Sequence, residues 1–307
     1  MSAEGATTER HAMLLALAEL LCPSLNGPSS YRLSRLVESG CLDTDRPPAQ
    51  PADSEAEWIA RGLARIDAGR ARFWRGALEE LRDRGIHMVD TADISYPVNL
   101  RMVHNSPPFI LVRGSLCAGD ELAVAVVGTR APSEEGRSKA FEIARELAEE
   151  HVTVVSGLAR GIDTSAHSGA LSAGGRTIAV FGTGIDVVYP ANNRSLAGAI
   201  SRSGACISQF WPSMRGARWT FPARNIVTSG LALGTIVVEA GDTSGARLQA
   251  EAALMHGKRV FLPRQLVTAH EWAETMAGRA GVMVMDSVDQ VIDSIAADLD
   301  AAPTVLV

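Results

Sequence analysis

A chain of 307 residues with 46% hydrophobic and 21% charged side chains has room for one large and one small domain with ordinary cores, and it carries no apolar run long enough to cross a bilayer. Four widely spaced cysteines without a CxxC pair argue against a disulfide framework or a metal cluster. The net charge of −6 argues against nucleic acid only until it is divided along the chain: −4 over residues 1–100, +4 over 101–267 and −6 over 268–307.

The opening MSAEGATTERH is polar and acidic, so it does not read as a secretory signal, and the expected location is the cytoplasm. Residues 11–21 read as an apolar helix stopped by Cys22-Pro23. Ser29 or Ser30 is placed to cap a second helix over 32–38 that ends at Gly40. Residues 43–53 hold three prolines and read as a loop, and 55–84 read as one long helix. Residues 1–85 are therefore expected to form a small all-helical, helix-hairpin-like domain. Such a hairpin serves DNA binding in some proteins and plain packing in more.

From residue 86 the pattern changes. Short strands are expected at 86–89 and 109–113, then strands alternate with helices. Strands fall at 123–127, 152–155, 177–181, 205–209, 235–238, 259–262 and 282–285. Helices fall at 136–149, 164–171, 194–200, 226–233, 247–256 and 288–297. This alternation predicts an α/β fold, a parallel sheet with helices on both faces over residues 86–300, leaving 301–307 as a tail.

Four glycine-rich turns stand where strands end: Gly128-Thr129-Arg130, Ser156 to Asp163, Gly182-Thr183-Gly184, and Glu239 to Ala246. Ligands bind at that edge of an open parallel sheet. The turns are expected to give a shared floor of backbone N–H groups, with Arg130 and Arg160 on it, a chemistry that suits phosphate. The window 156–230 adds seven arginines against only Asp163 and Asp186. VAVVGTR has one glycine, so the GxGxxG dinucleotide fingerprint is missing and no cofactor is expected. An arginine at Arg130 calls for an anion or for a carboxylate such as Glu134. Asp163 and His167, at i and i+4, suit either acid–base work or structure, with Asp163 capping the helix and His167 fixing the turn.

Residues 209–225, QFWPSMRGARWTFPARN, read as a long loop interleaving Phe210, Trp211, Trp219 and Phe221 with Arg215, Arg218 and Arg224. Aromatics that stack on bases beside arginines that pair with phosphates are the parts of single-strand binding. A lid packed by its own aromatics is the alternative.

Six motifs, in this order and spacing, resemble the DNA-processing protein A family, also called Smf. They are YP…PP before a strand and Gly114, VVGTR at 126–130, SGLARGIDTSAHSGAL at 156–171, FGTGIDVVYPANN at 181–193, FPARN at 221–225 with SGLALG at 229–234, and VVEAGDTSGA at 237–246. The resemblance implies an extended Rossmann-like fold that binds single-stranded DNA without catalysis. It implies protection of the strand in natural transformation, transfer to the recombinase RecA, and a homodimer. It also implies a DNA pocket built on Arg130 and Arg224, with Gly128, Ser156, Gly157, Gly182, Phe221 and Asn225 at neighbouring motif positions. The chain departs from the family pattern in four places. Ile226 stands where a second arginine follows FPxRN, Gln249 where threonine is common, and Arg264-Gln265-Leu266 where glycine follows VFLP. The winged-helix domain that many family members carry is not expected after residue 300. A second reading is a nucleotide sensor or phosphoribohydrolase-like enzyme, with Glu239 as its carboxylate. A third is a structural partner with no affinity for DNA or nucleotide.

Overall fold

The computed structural model describes residues 3–42 and 53–301. The expected loop at 43–53 lies almost wholly outside the described residues, as does the expected tail beyond Ala301. Four helices come first: α1 (Ala3–Leu21), α2 (Pro28–Glu38), α3 (Asp53–Leu63) and α4 (Ala68–Asp83). Two expectations change here. α2 starts at Pro28 behind Gly27 with no side-chain cap, so Ser29 and Ser30 lie inside its first turn. The long helix expected over 55–84 is two helices, because the Asp67 carboxylate accepts the Arg70 N–H at 2.8 Å and caps α4.

The sheet begins with β1 (Ile86–Asp90), the short α5 (Val98–Arg101) and β2 (Phe109–Gly114). The alternating part follows: β3 (Ala123–Val127), α6 (Glu134–Glu149), β4 (Thr153–Ser156), α7 (Ile162–Ser172), β5 (Thr177–Val180), α8 (Arg194–Ser203) and β6 (Ala205–Ser208). It continues with α9 (Thr220–Leu231), β7 (Gly234–Val237), α10 (Gly245–Met255), β8 (Arg259–Pro263), α11 (Arg264–Ala269), α12 (Glu271–Ala277), β9 (Val282–Met285) and α13 (Val288–Ala301). The nine strands among the described residues form one sheet in the order β1-β2-β6-β5-β4-β3-β7-β8-β9. The fold is α/β and Rossmann-like, but the sheet is not wholly parallel. β2 pairs antiparallel with both β1 and β6, and the other neighbours are parallel.

Alternation along each strand sets the two faces. Phe109, Leu111, Ala179 and Cys206 point into a cluster shared with α1 to α4 and α8, while Val124, Val126, Val154, Ile236 and Phe261 face α6, α7 and α13. Ile110, Val112, Ala125, Val155, Ile178 and Ile207 face α5 and α9 on the other side, beside a last cluster under α10 to α12. The N-terminal helices thus share one buried cluster with the sheet, and the boundary expected at residue 85 runs through it. Trp211 joins the two parts: its ring stacks on Trp74 at 5.1 Å, and its Nε1 donates to Pro23 O at 2.8 Å. Below it, Gln209 Nε2 donates to Leu25 O at 3.1 Å. On the far side Arg10 and His11 meet Asp90 and Asp93, with His11 Nε2 2.9 Å from Asp93 Oδ2.

The strand order fixes where a ligand fits. From β3 the chain winds to β4, β5 and β6 on one side, then returns to β7, β8 and β9 on the other. The reversal between β3 and β7 is the topological switch point of the sheet, where crevices form beyond the strand ends.

Candidate nucleic-acid interface

A crevice of about 730 Å³ opens at that point. The first turn lines it through Gly128, Thr129 and Arg130, α9 through Phe221, Arg224 and Asn225, and the start of α10 through Thr243 to Ala246 and Gln249. A second cavity of about 290 Å³ adjoins it across Arg130, Ala159, Phe221 and Arg224, and adds Gly157, Arg160, Gly182 and Tyr189. The structure therefore brings eight of the nine expected site residues to one edge: Arg130, Arg224, Gly128, Gly157, Arg160, Gly182, Phe221 and Asn225. Ser156 is the exception. It is buried, and its hydroxyl donates to Val126 O at 2.7 Å inside the sheet.

The local folding of α9 departs from the sequence expectation and explains the site. The FPARN segment is not loop. It forms the first two turns of a helix that starts at Thr220, six residues before the expected 226. A helix places Phe221, Arg224 and Asn225 at i, i+3 and i+4, so all three project from one face over the strand ends.

The glycines then have a different task from the one expected. A Cβ at Gly157 would collide with the guanidinium of Arg224, and one at Gly182 would lie 2.7 Å from the Phe221 ring. Both glycines are buried beneath side chains delivered by α9. Several amides of the expected floor are also consumed internally. Thr129 N–H donates to Glu239 O at 2.7 Å, and Gly157 and Ala159 N–H donate to Asp163 Oδ2 at 3.1 and 3.3 Å. The floor is therefore a cradle for an arginine and an aromatic ring, rather than an open row of N–H groups.

Arg224 is 8% exposed. Its Nη1 donates to Val180 O at 3.2 Å, and its Nε has no partner among the described residues. Burial pulls its pKa down, with Asp163 acting against that pull. Burial pushes the Asp163 carboxyl up, opposed first by Arg224. An arginine stays protonated in proteins, so the charge persists at the crevice floor. Arg130 is exposed, its guanidinium 5.0 Å above the Phe221 ring. Among the described residues it forms no salt bridge, and Glu134 pairs instead with Arg137 at 3.5 Å. One exposed cation, Arg130, thus stacks on the Phe221 ring, while a second, Arg224, lies buried on the floor of the crevice.

Asp163 and His167 separate in role. Asp163 sits within α7 behind the N-cap Gly161 and holds the Gly157–Ala159 turn, so it does the turn-fixing expected of His167. His167 is fully buried, with Nδ1 2.7 Å from Thr177 Oγ1 at the start of β5, and burial pulls its pKa down to about 3. It lies outside the crevice lining, with Arg224 adding to the downward pull and its own Nε2 without a partner among the described residues. Glu239 is equally occupied: it accepts from Ser133 N at 3.0 Å and Ser133 Oγ at 2.6 Å, bracing the start of α6.

The aromatic loop divides. Phe210 is fully buried and Trp211 packs on Trp74, whereas Trp219 is 38% exposed and Phe221 lines the crevice. Sequence reasoning missed Tyr189, which is 53% exposed with its ring 6.0 Å from Phe221. Its place in the VVYPANN segment beside a strand-end turn was the available signal. Among the described residues, His11, Asp90 and Asp93 place donor atoms within 4.8 Å of one another, but Arg10 already pairs with both carboxylates. The four cysteines form no disulfide among the described residues, and burial pushes the Cys22 and Cys206 thiols up to about 12. No described helix is long and apolar enough to cross a membrane.

Comparison with known proteins agrees with this geometry. The family model for DNA recombination-mediator protein A matches residues 87–296. The chain is 40% identical to the DNA processing protein DprA of Streptococcus pneumoniae over 169 residues, which is 55% of this chain and 60% of that protein. It is similar to the crystal structure of DNA processing protein A from Streptococcus pneumoniae, with a TM-score of 0.65 and 27% identity over 95% of this chain and 98% of the other. A structure describing the single-stranded DNA binding mode of DNA processing protein A from Helicobacter pylori shares the fold, with a TM-score of 0.61 and 24% identity over 69% of this chain and 96% of that one. The chain spans less than two thirds of the length of the curated relatives it matches. By the extent of the family match, the chain belongs to the DNA recombination-mediator protein A family.

Proposed function

We propose that this protein binds single-stranded DNA in the switch-point crevice and acts as a recombination mediator without catalysing a reaction. The observation that carries this reading is the buried cation at the crevice floor. Arg224 has an unpartnered Nε and no carboxylate in salt-bridge range among the described residues, and an arginine in that setting calls for an anionic ligand. Arg130 stacked on Phe221, with Tyr189 and Trp219 at the rim, supplies π faces for bases beside the phosphate-binding charge. Family membership and the single-stranded DNA binding of the Helicobacter pylori protein support the same ligand.

The non-catalytic reading is supported by the places of both candidate catalytic groups: Glu239 braces α6, and His167 is fully buried outside the crevice lining with its Nδ1 on Thr177. That engagement counts against the phosphoribohydrolase alternative. Strand protection in natural transformation, transfer to RecA, homodimer formation and a cytoplasmic location are part of the proposal, as are the domain limits 1–85 and 86–300. Nuclease protection of a labelled single strand tests the core of it, with duplex as control. Light scattering tests the dimer, and RecA filament assembly on a protein-coated strand tests the transfer. A protein that leaves the single strand as digestible as the duplex would sink the reading.

A further inference from the structure

The crevice continues past Arg224 to the start of α10, and we propose that it holds a second phosphate group there, bound by the Gly245 amide at the start of α10 and the side-chain amide of Gln249. This rests on the strand-binding reading and names a subsite within it. α10 is eleven residues long, and its N-terminus lines the crevice through Thr243, Ser244 and Gly245. A Cβ at Gly245 would meet nothing within 4 Å, so the first turn faces open space. The Ala246 N–H already donates to the Ser244 hydroxyl at 3.3 Å and the Arg247 N–H to Ser244 O at 3.1 Å, so a phosphate here meets the Gly245 N–H and the partial positive charge of the helix start.

The independent observation is Gln249, one turn along. It is 2% exposed and lines the same crevice, and its Nε2 has no partner among the described residues. A buried donor left unmade is costly, and such groups persist where a ligand completes them. Arg224, whose Nε is also unpartnered, lines the same crevice. The lining carries one carboxylate, Asp163, which two backbone amides already hold. Asp242 precedes the helix but lies outside the lining, 3.7 Å from His270 Nδ1. Donors from α9 and α10 in one crevice select phosphate oxygens, either an internal diester of the strand or a terminal 5′ monoester.

The test compares the full chain with Gln249→Met, which keeps length and removes the donor, and Gln249→Glu, which adds an opposing charge. Binding is read by anisotropy on dT oligonucleotides bearing a 5′-hydroxyl or a 5′-phosphate. Gln249→Met is expected to weaken binding about 10-fold, the scale of one hydrogen bond to a charged group. Its melting temperature rises, because an unsatisfied donor is gone. Gln249→Glu weakens binding further and flattens the salt dependence by about 0.7 in log–log slope, one phosphate contact on a single strand. Equal loss on both oligonucleotides assigns an internal diester, and loss confined to the 5′-phosphorylated one assigns a terminal phosphate. Parent affinity and slope in both variants would overturn the subsite. A parent that binds neither oligonucleotide overturns the strand-binding reading. Inorganic phosphate then decides the subsite: a Gln249-dependent rise in melting temperature upholds it, and no rise overturns it.

Discussion

Arg224 and Gly157 make one unit, because the guanidinium occupies the space where a Gly157 side chain would stand. Arg224→Ala is expected to weaken single-strand binding by about 1–3 kcal/mol, the loss of a charged hydrogen bond. Gly157→Ala should weaken it similarly by displacing the arginine, while circular dichroism still shows a folded chain. Binding at parent affinity by either variant would contradict the site. Titration gives a separate check on the core. His167 and His256 have folded pKa values pulled down by burial to about 3 and about 4, below the free value of 6.5. The unfolded chain therefore binds more protons below pH 6.5. The stability is complete above that pH and is lost progressively as pH falls toward 3. His11 shifts upward, so its contribution is present in acid and lost as pH rises through its folded pKa. Urea midpoints are expected to fall between pH 7.5 and 5.0, with His167 alone costing about 2 kcal/mol at pH 5. His167→Gln should flatten the curve, and midpoints that hold or rise toward pH 5 would contradict this account.

At the scale of elements, the instructive case is α9. Its C-terminus is anchored by Lys258, whose Nζ donates to the carbonyls of Ser229, Gly230 and Ala232 at 3.1, 2.6 and 2.7 Å. Its N-terminal turns carry the site. The arginine and aromatic of FPARN were legible as functional, but Pro222 in the third helical position and the loop-like residues before it concealed the helix. The break between α3 and α4 was concealed too, since both helices share one apolar periodicity and the cap Asp67 reads as an ordinary helical acid. Asp67→Ala is expected to lower stability by about 1 kcal/mol in thermal melting. Trp211 was read as a possible base-stacking residue, yet its partner Trp74 lies 137 positions earlier, beyond any local pattern. Trp211→Ala should cost about 2–3 kcal/mol, below a full core value because the ring is only half-buried. It should leave DNA affinity unchanged. Reduced affinity without lost stability would return Trp211 to the DNA site.

For the whole molecule, the βα alternation made the sheet and its ligand edge legible, because strand ends and turns are local signals. The antiparallel pairing of β2 with β1 and β6 is a long-range choice that no local period encodes. The same limit applies to the packing of the N-terminal helices, whose buried cluster extends onto the sheet. The charge distribution gains meaning only in three dimensions: Arg130, Arg160 and Arg224 converge from two turns and a helix on adjoining cavities. A strand held by several such cations releases counterions, so its binding must weaken steeply with salt. The most direct test is fluorescence anisotropy of labelled poly-dT with the parent and the Arg130→Ala/Arg224→Ala double variant, at two salt concentrations and against labelled duplex. Tight, salt-sensitive, single-strand-selective binding that the double variant loses is the expected result. Absence of binding by the parent, or equal binding by the double variant, would contradict it.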